Sequence, residues 1–270
     1  MLFHSIEMLD PGNIIDTMNR PIVVNSSDMN LYFCKYNRLS TRAYRLYKEY
    51  LIASFLPVWD FKSSPINLIK VSSDHIPSDL GISKNCFKSP CFGLQKVDSS
   101  NELDKHNTGL LNRRHLSYCF KDDFLKLSFF DIWVANEDRS HNNYNLLLAI
   151  RDGFYELYPI DHEACFNHGE LASGLTPITY EESLIYSEAF NMLFKKGDFT
   201  RSSIAALRDK YYVCVEGCKD SVDRILNEIP PEWGIDVKQE KQILDTFLFN
   251  DVWFHEAWTT FQSYIQLFLN

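Results

Sequence analysis

The sequence predicts an α+β fold with a small strand-rich N-terminal lobe, residues 1–97, and a larger helical C-terminal lobe, residues 98–270. Short β-rich runs dominate the first third of the chain, and long segments with helical spacing dominate the last third. Between them, residues 98–114 are polar and rich in turn-forming residues, which is typical of a boundary between two lobes. A chain of 270 residues is long enough for both.

The N-terminal lobe is predicted to contain four strands and one helix. Apolar residues recur at helical spacing in the helix, where Ser40 or Thr41 is placed to cap its start and Pro57 to end it. The first two strands flank a polar turn and should form a hairpin. The strands are 21–25, 31–36, 66–71 and 91–97, and the helix is 41–56.

The C-terminal lobe is predicted to be mostly helical, with one hairpin. Its first helix, 120–135, carries apolar residues on nearly every side of its second half, which indicates that it is buried. Strands 146–150 and 154–160 follow a polar loop and are joined by a turn at residues 151–153. The remaining predicted helices are 180–195, 201–216, 218–228 and 236–269.

Composition excludes several classes of protein. Hydrophobic residues make up 45% of the chain and aromatic residues 14%, which predicts an ordered globular protein. A net charge of −9 disfavours direct nucleic-acid binding. The chain has no apolar run of the roughly 20 residues that span a bilayer and no signal-peptide pattern, so we expect a cytoplasmic protein without membrane contact.

The seven cysteines are odd in number and scattered. Cys86 with Cys91 and Cys214 with Cys218 are the only close pairs, and their spacing is poor for zinc. Reduced thiols are therefore favoured over a zinc site.

Polar residues gather where the predicted hairpin begins and ends. Asp138 lies in the loop before the hairpin, and Asn143 and Asn145 follow five and seven residues later. Asp161 comes directly after the second strand. In a hairpin the end of the second strand lies beside the start of the first, so Asp161 should lie close to Asn143 and Asn145. Carboxylate and amide oxygens are hard ligands suited to Mg²⁺, so this end of the hairpin is a candidate magnesium site.

A charged pair is predicted in the N-terminal lobe. Lys35 lies in an apolar strand, where an ammonium group needs a partner, and Glu49 on the following helix is available. Phosphoryl transfer uses a lysine on the phosphates, a glutamate that holds it, an aspartate that orients the hydroxyl, and an asparagine and aspartate on the metal. The sequence contains each of these parts.

These residues resemble a known family. The run NEDRSHNNYNLL at 136–147, followed by Ile160-Asp161-His162, resembles the catalytic and metal-binding loops of HipA-like kinases. The pattern of that group, which is related to the phosphatidylinositol 3/4-kinases, is Asp-Arg-His-x-x-Asn, a strand pair and Ile-Asp. Residues 229–233, IPPEW, are similar to its Ile-Pro-x-x-Trp element. The resemblance implies a protein-kinase-like two-lobed fold, ATP and Mg²⁺ as cofactors, and phosphorylation of protein serine or threonine.

The resemblance also implies roles in the C-terminal lobe. Asp138 accepts the proton of the acceptor hydroxyl, with Arg139 and Asn143 beside it as catalytic residues. Asp161 holds Mg²⁺. Two asparagines could be its partner on the metal. Asn143 fits the spacing of the family, and Asn145 fits the family's position directly before the strand, which slightly favours Asn145.

The roles implied for the N-terminal lobe concern the nucleotide. Lys35 is the ATP lysine and Glu49 its partner. Ser26 and Ser27 supply the phosphate contacts in a turn, 25–30, that has no glycine. The remaining nucleotide-binding candidates, at the end of the last strand of this lobe, are Lys96 and Val97.

Other functions remain open. The glycine-free turn favours a pseudokinase, a binding module with a kinase fold and no turnover. A lipid or small-molecule kinase is less favoured, since no basic cluster marks a lipid-binding surface. An iron or zinc site is disfavoured because three neighbouring residues at one strand end cannot all face one metal; its donors would be His141, Asp161, His162 and Glu163. We expect a protein substrate, and an antitoxin-like or other protein partner is a further hypothesis.

Overall fold

The computed structural model describes residues 1–17, 20–38, 42–104, 108–112, 114–151 and 154–270. Ser40 and Thr41, the predicted helix caps, and residues 152–153 of the predicted hairpin turn lie outside these ranges. The chain forms two compact units. The first comprises Met1–Ser54, Ser63–Asp98 and Arg224–Val237, and the second comprises Phe55–Lys62, Ser99–Asp223 and Lys238–Asn270.

A five-stranded sheet forms the centre of the first unit, with the strand order β1-β4-β5-β3-β2. The predicted hairpin of β2 and β3 is confirmed, with Ile22 opposite Cys34. β1 was not predicted; it has only three residues and runs parallel to β4. The strands are β1 (Leu2–His4), β2 (Ile22–Asn25), β3 (Leu31–Lys35), β4 (Ile66–Lys70) and β5 (Cys91–Gln95), and helix α1 is Tyr44–Phe55.

Alternation along β3 places its residues on two faces of this sheet. Tyr32 and Cys34 point into the core of the unit, where they pack with Ile22 and Val24 of β2. Lys35 belongs to the opposite face, in keeping with the period of two along a strand. The alternation along β3 thus places its core residues on one face of the sheet and Lys35, a member of the charged pair, on the other.

A second, three-stranded sheet belongs to the second unit, with the order β6-β7-β8. The predicted hairpin of β7 (Leu146–Arg151) and β8 (Phe154–Pro159) is confirmed, with Leu146 opposite Pro159. β6 (Ser100–Glu102) was not predicted and lies in the segment read as a polar boundary; it pairs with β7. A 3-10 turn, Thr108–Asn112, follows it.

Five further helices follow α1 in the described part of the chain, and most of their residues belong to the second unit. They pack around aromatic side chains; the indole Nε1 of Trp253, for example, donates to the carbonyl oxygen of Trp133 at 2.8 Å. The mixed α+β class predicted from the sequence is confirmed. The helices are α2 (Arg114–Trp133), α3 (Glu188–Leu193), α4 (Arg201–Asn227), α5 (Val237–Ile243) and α6 (Asp251–Leu269).

Several predicted helix boundaries were wrong. The two helices predicted at 201–216 and 218–228 are the single helix α4, and Gly217 does not interrupt it. A Cβ at Gly217 would lie 2.9 Å from Cγ1 of Val58, so this glycine permits close packing instead of ending a helix. The helix predicted at 120–135 begins earlier and ends at Trp133, because Ala135 has a left-handed φ of 47°.

Two other predicted helices are interrupted. Of the segment 180–195, only a 3-10 turn and the short α3 are helical. Oγ of Ser183 donates to the carbonyl oxygen of Tyr180, which competes with helical hydrogen bonding. Oγ of Ser187 accepts from the amide of Phe190 and caps the start of α3. The segment 236–269 is divided by a π-helical turn, Leu244–Leu248, after which Asn250 caps α6.

No helix in the described part of the chain combines the length and the apolar character that a membrane span requires. Each cysteine side chain that the structure describes is a free thiol.

Candidate active site

The loop between α2 and β7 places two asparagines against Asp138. Oδ2 of Asp138 accepts hydrogen bonds from Nδ2 of Asn143 at 3.0 Å and from Nδ2 of Asn145 at 2.8 Å. Ser140 and Asn143 exchange backbone hydrogen bonds, which close the loop between the two contacts. The carboxylate is therefore oriented by two donors, and each amide that donates through nitrogen keeps its oxygen as an acceptor.

Asp161 follows directly after a residue that is bonded to this loop. The backbone N–H of Ile160 donates to the carbonyl oxygen of Asn145 at 2.9 Å. Asp161 has a left-handed φ of 56° and Asn145 one of 46°, a conformation that aspartate and asparagine adopt more readily than other non-glycine residues. The structure thus brings the strand end that carries Asp161 beside the loop that carries Asp138. It does not choose between Asn143 and Asn145 as a metal ligand.

Glu163 is a carboxylate that the sequence reasoning did not include in the magnesium site. A carboxylate oxygen of Glu163 lies within 4.8 Å of one of Asp161. The two residues are two apart in the chain, shortly after the end of β8, and the Asp-x-Glu spacing was the available signal. Oxygen donors of this kind fit a hard divalent cation.

The histidines of the disfavoured iron or zinc site have other partners. Nδ1 of His141 is hydrogen-bonded to the carbonyl oxygen of Glu181 at 3.1 Å. His162 is buried, and its Nδ1 lies 3.2 Å from a guanidinium nitrogen of Arg139. Among the described residues, neither histidine belongs to the group of candidate metal ligands that contains Asp161 and Glu163.

Arg139 was predicted as a catalytic residue, but its side chain is 0% exposed. Its Nη1 lies 2.5 Å from Oδ1 of Asp131, which is equally buried. Burial raises the pKa of Asp131, and the charge of Arg139 acts in the opposite direction. The guanidinium is therefore enclosed in the protein and paired with Asp131, and its predicted catalytic role stays a prediction.

Lys35 and Glu49 form the pair that the sequence predicts in the first unit. Nζ of Lys35 lies 3.1 Å from Oε2 of Glu49, and the two side chains are 15% and 2% exposed. The lysine retains some exposure, whereas the glutamate lies almost entirely in the protein. The contact is confirmed, and its role in binding ATP stays a prediction.

Replacement of Lys35 by methionine is expected to lower the free energy of unfolding by about 3 kcal/mol and to weaken nucleotide binding. The reason is that Glu49 loses a cationic partner while its carboxylate stays buried. Chemical denaturation and a titration with Mg·ATP measure the two effects. In the matched control Lys35→Met with Glu49→Gln, stability should recover and nucleotide binding should not. Unchanged nucleotide binding in either variant would contradict the assignment of Lys35.

The turn between β2 and β3 uses its own donors. The amide of Ser26 donates to Asn30 O, that of Ser27 to His4 O and that of Met29 to Ser26 O. Oγ of Ser26, which is 0% exposed, donates to Oδ1 of Asp28. The side chain of Ser26 is thus engaged within the turn, and the predicted approach of phosphate to Ser26 and Ser27 stays a prediction. The hydroxyl of Ser27 accepts from His4 N at 3.2 Å and is exposed.

Lys96 and Val97 continue from the end of β5. The amide of Lys96 donates to the carbonyl oxygen of Leu31 at 2.8 Å, and its side chain is exposed. Val97 is 5% exposed. Their predicted contact with the nucleotide stays a prediction.

Comparison with protein families gives a match over most of the chain. The HipA-like kinase family model matches residues 11–252. A comparison with curated proteins finds no match. Among solved structures, the chain is similar to the Helicobacter pylori proinflammatory kinase CtkA, with 13% identity, a TM-score of 0.44, and coverage of 100% of this chain and 97% of that chain. It is also similar to the Golgi casein kinase, with 11% identity, a TM-score of 0.36, and coverage of 98% and 72%. On the extent of the family match, the chain belongs to the HipA-like kinase family.

Proposed function

We propose that this chain is an ATP- and Mg²⁺-dependent kinase that transfers the γ-phosphoryl group to a serine or threonine hydroxyl of a protein. The proposal rests on one observation: Asp138 is held by Asn143 and Asn145, in a loop bonded through Ile160 to the strand end that carries Asp161. Membership of the HipA-like kinase family supports phosphoryl transfer as the reaction.

The acceptor hydroxyl is activated by Asp138. Its carboxylate is oriented by two amide donors, so it is positioned to accept the hydroxyl proton as the oxygen attacks phosphorus. The family membership, and not any contact in the structure, points to a protein as the acceptor.

The donors around Asp161 suit Mg²⁺. The carboxylates of Asp161 and Glu163 are close to each other, and the amide oxygens of Asn143 and Asn145 are available in the adjoining loop. Hard oxygen donors of this kind hold Mg²⁺ together with substrate phosphates. A Mg²⁺ ion held by these residues would supply positive charge against the phosphates during transfer. Lys35, held by Glu49, pairs with the phosphates of the nucleotide.

The test is incubation of the wild-type chain with γ-labelled ATP, Mg²⁺ and a general protein substrate such as casein, followed by phosphoamino-acid analysis. We expect label on phosphoserine or phosphothreonine, in the substrate or in the chain itself, and none when EDTA removes the metal. Absence of label transfer, with or without nucleotide binding, would refute the kinase and favour the second candidate.

The second candidate is a pseudokinase that binds a partner without turnover, and the turn at 25–30 favours it. Asp28 accepts hydrogen bonds from the side chains of Ser26, Asn30 and Tyr32. Although burial acts to raise it, the bonds from Asn30, Ser26 and Tyr32 hold the pKa of Asp28 well below its ordinary value. A fixed negative charge thus occupies the turn expected to cover phosphates, which repels a nucleotide.

Replacement of Asp28 by asparagine is expected to raise the affinity for Mg·ATP by roughly 2- to 10-fold, since it removes one charge that repels the phosphates. Isothermal titration with Mg·ATP measures the change. The matched control is Asp74→Asn, an exposed acid of the same unit, which should leave the affinity unchanged. An unchanged affinity for Asp28→Asn would show that this turn does not cover the phosphates.

A further inference from the structure

We propose that Arg139 is a positioning residue, which fixes the strand end carrying Asp161 against the loop carrying Asp138. The effect of Arg139 on catalysis rests on the proposed function, whereas its positioning role rests on the geometry alone. The side chains of Asp131, Arg139 and His162 with the carbonyl of Ile160 are here called the Arg139 bracket.

One side of the bracket fixes the start of the loop. Asp131 lies on α2 and is completely buried. Its Oδ1 accepts from Nη1 of Arg139 at 2.5 Å and from Nδ2 of Asn136 at 3.1 Å, and its carbonyl oxygen accepts from the amide of Asn136 at 2.8 Å. Oδ1 of Asn136 in turn accepts from the amide of Asp138 at 3.3 Å. The helix therefore holds Asp138 through Asn136 and Arg139 together.

The other side of the bracket fixes the strand end. Nη2 of Arg139 donates to the carbonyl oxygen of Ile160 at 2.8 Å and to Nδ1 of His162 at 3.2 Å. Asp161 lies between these two residues, so Arg139 holds the chain on either side of it. Asp161 has a left-handed φ of 56°, a conformation that aspartate adopts more readily than most non-glycine residues, and the contacts of Arg139 hold the chain on both sides of it.

The chemistry of the bracket requires arginine. One guanidinium nitrogen serves Asp131 and another serves Ile160 and His162, and this fork is rigid and planar. A lysine keeps the charge beside Asp131 but has a single nitrogen with which to reach both sides. Buried ion pairs contribute little to stability compared with apolar packing, so stability alone is a weak reason for this pair. Positioning of the two acids is the role that the geometry favours.

The test compares Arg139→Lys with the wild-type chain in three measurements: kcat, the Mg²⁺ concentration at half-maximal rate, and hydrogen exchange in segments 136–145 and 160–166. Loss of a group that orients metal ligands lowers metal affinity or activity by about 10- to 100-fold. We expect kcat to fall by about tenfold or more, the Mg²⁺ requirement to rise, and exchange to become faster in both segments. The control Tyr264→Phe, which removes a hydrogen bond to the carbonyl oxygen of Ile178 elsewhere in the second unit, should lower the melting temperature without these effects.

Wild-type values for kcat, Mg²⁺ dependence and exchange in folded Arg139→Lys would overturn the inference. If Arg139→Lys does not fold, the neutral pair Arg139→Gln with Asp131→Asn carries the same expectations and decides. If the wild-type chain transfers no phosphate, the proposed function fails. The exchange comparison then decides the positioning role by itself: faster exchange in both segments supports it and unchanged exchange overturns it.

Discussion

Replacement of Asp138 by asparagine is expected to lower kcat for phosphoryl transfer by about 10²- to 10⁴-fold, the range that a positioned general base contributes. Asparagine fills nearly the same space, and its amide oxygen accepts from Asn143 and Asn145 as the carboxylate does. It cannot take the proton of the acceptor hydroxyl at neutral pH. The fold and the loop should therefore survive while the chemical step is lost.

The measurement is initial-rate kinetics with labelled ATP, combined with a Mg·ATP titration. The affinity for Mg·ATP should change little, because Asp138 orients the acceptor and does not hold the metal. The matched control is Asp122→Asn, an exposed acid on α2, which should retain the wild-type rate. A full rate of transfer by Asp138→Asn would remove this residue from the mechanism.

Replacement of Asp161 by asparagine is expected to abolish transfer and also to weaken Mg²⁺-dependent nucleotide binding by about tenfold or more. The substitution removes a negative charge from the ligands of a hard cation that prefers carboxylate oxygens. Asparagine tolerates a left-handed φ, so the backbone at this position stays acceptable. The loss is therefore assigned to the metal and not to strain.

Thermal-shift titrations with ATP, at increasing Mg²⁺ concentrations, separate this variant from Asp138→Asn. Asp161→Asn should show a reduced Mg²⁺-dependent shift, whereas Asp138→Asn should show a normal one. Glu170→Gln, at an exposed acid further along the same segment, is the control and should behave as the wild type. A normal Mg²⁺-dependent shift in Asp161→Asn would contradict its role as a metal ligand.

Features that depend on local spacing were predicted well from the sequence. Both hairpins have the predicted strand pairing, since alternation and a turn define which residues face each other. Lys35 and Glu49 meet as expected, because a charge in an apolar strand needs a partner.

Features that depend on distant partners were not predicted. The role of Gly217 depends on Val58, a residue far away in the sequence that needs the space. The strand β1 has only three residues, too few for a pattern, and exists through its pairing with β4. A sequence shows only the local conformational preference at such positions, whereas tertiary packing determines their conformation.

The candidate site shows the same division. The order of the candidate site residues along a loop and a hairpin was sufficient to predict that Asn145 and the residue before Asp161 meet, as the hydrogen bond between Asn145 and Ile160 shows. The burial of Arg139 was not predictable, because it depends on Asp131, whose position on the buried face of α2 is set by the whole fold. In the sequence, Asp28 is an ordinary polar residue of a turn. In the structure, its carboxylate accepts the side-chain hydrogen bonds of Ser26, Asn30 and Tyr32.

The most direct test of the central claim is a structure of the wild-type chain with Mg²⁺ and a non-hydrolysable ATP analogue. We expect an oxygen of Asp161 at about 2.1 Å from Mg²⁺, with an oxygen of Asn143 or Asn145 beside it, and Asp138 facing the γ-phosphate. A nucleotide bound elsewhere, or a metal ion that Asp161 does not contact, would contradict it.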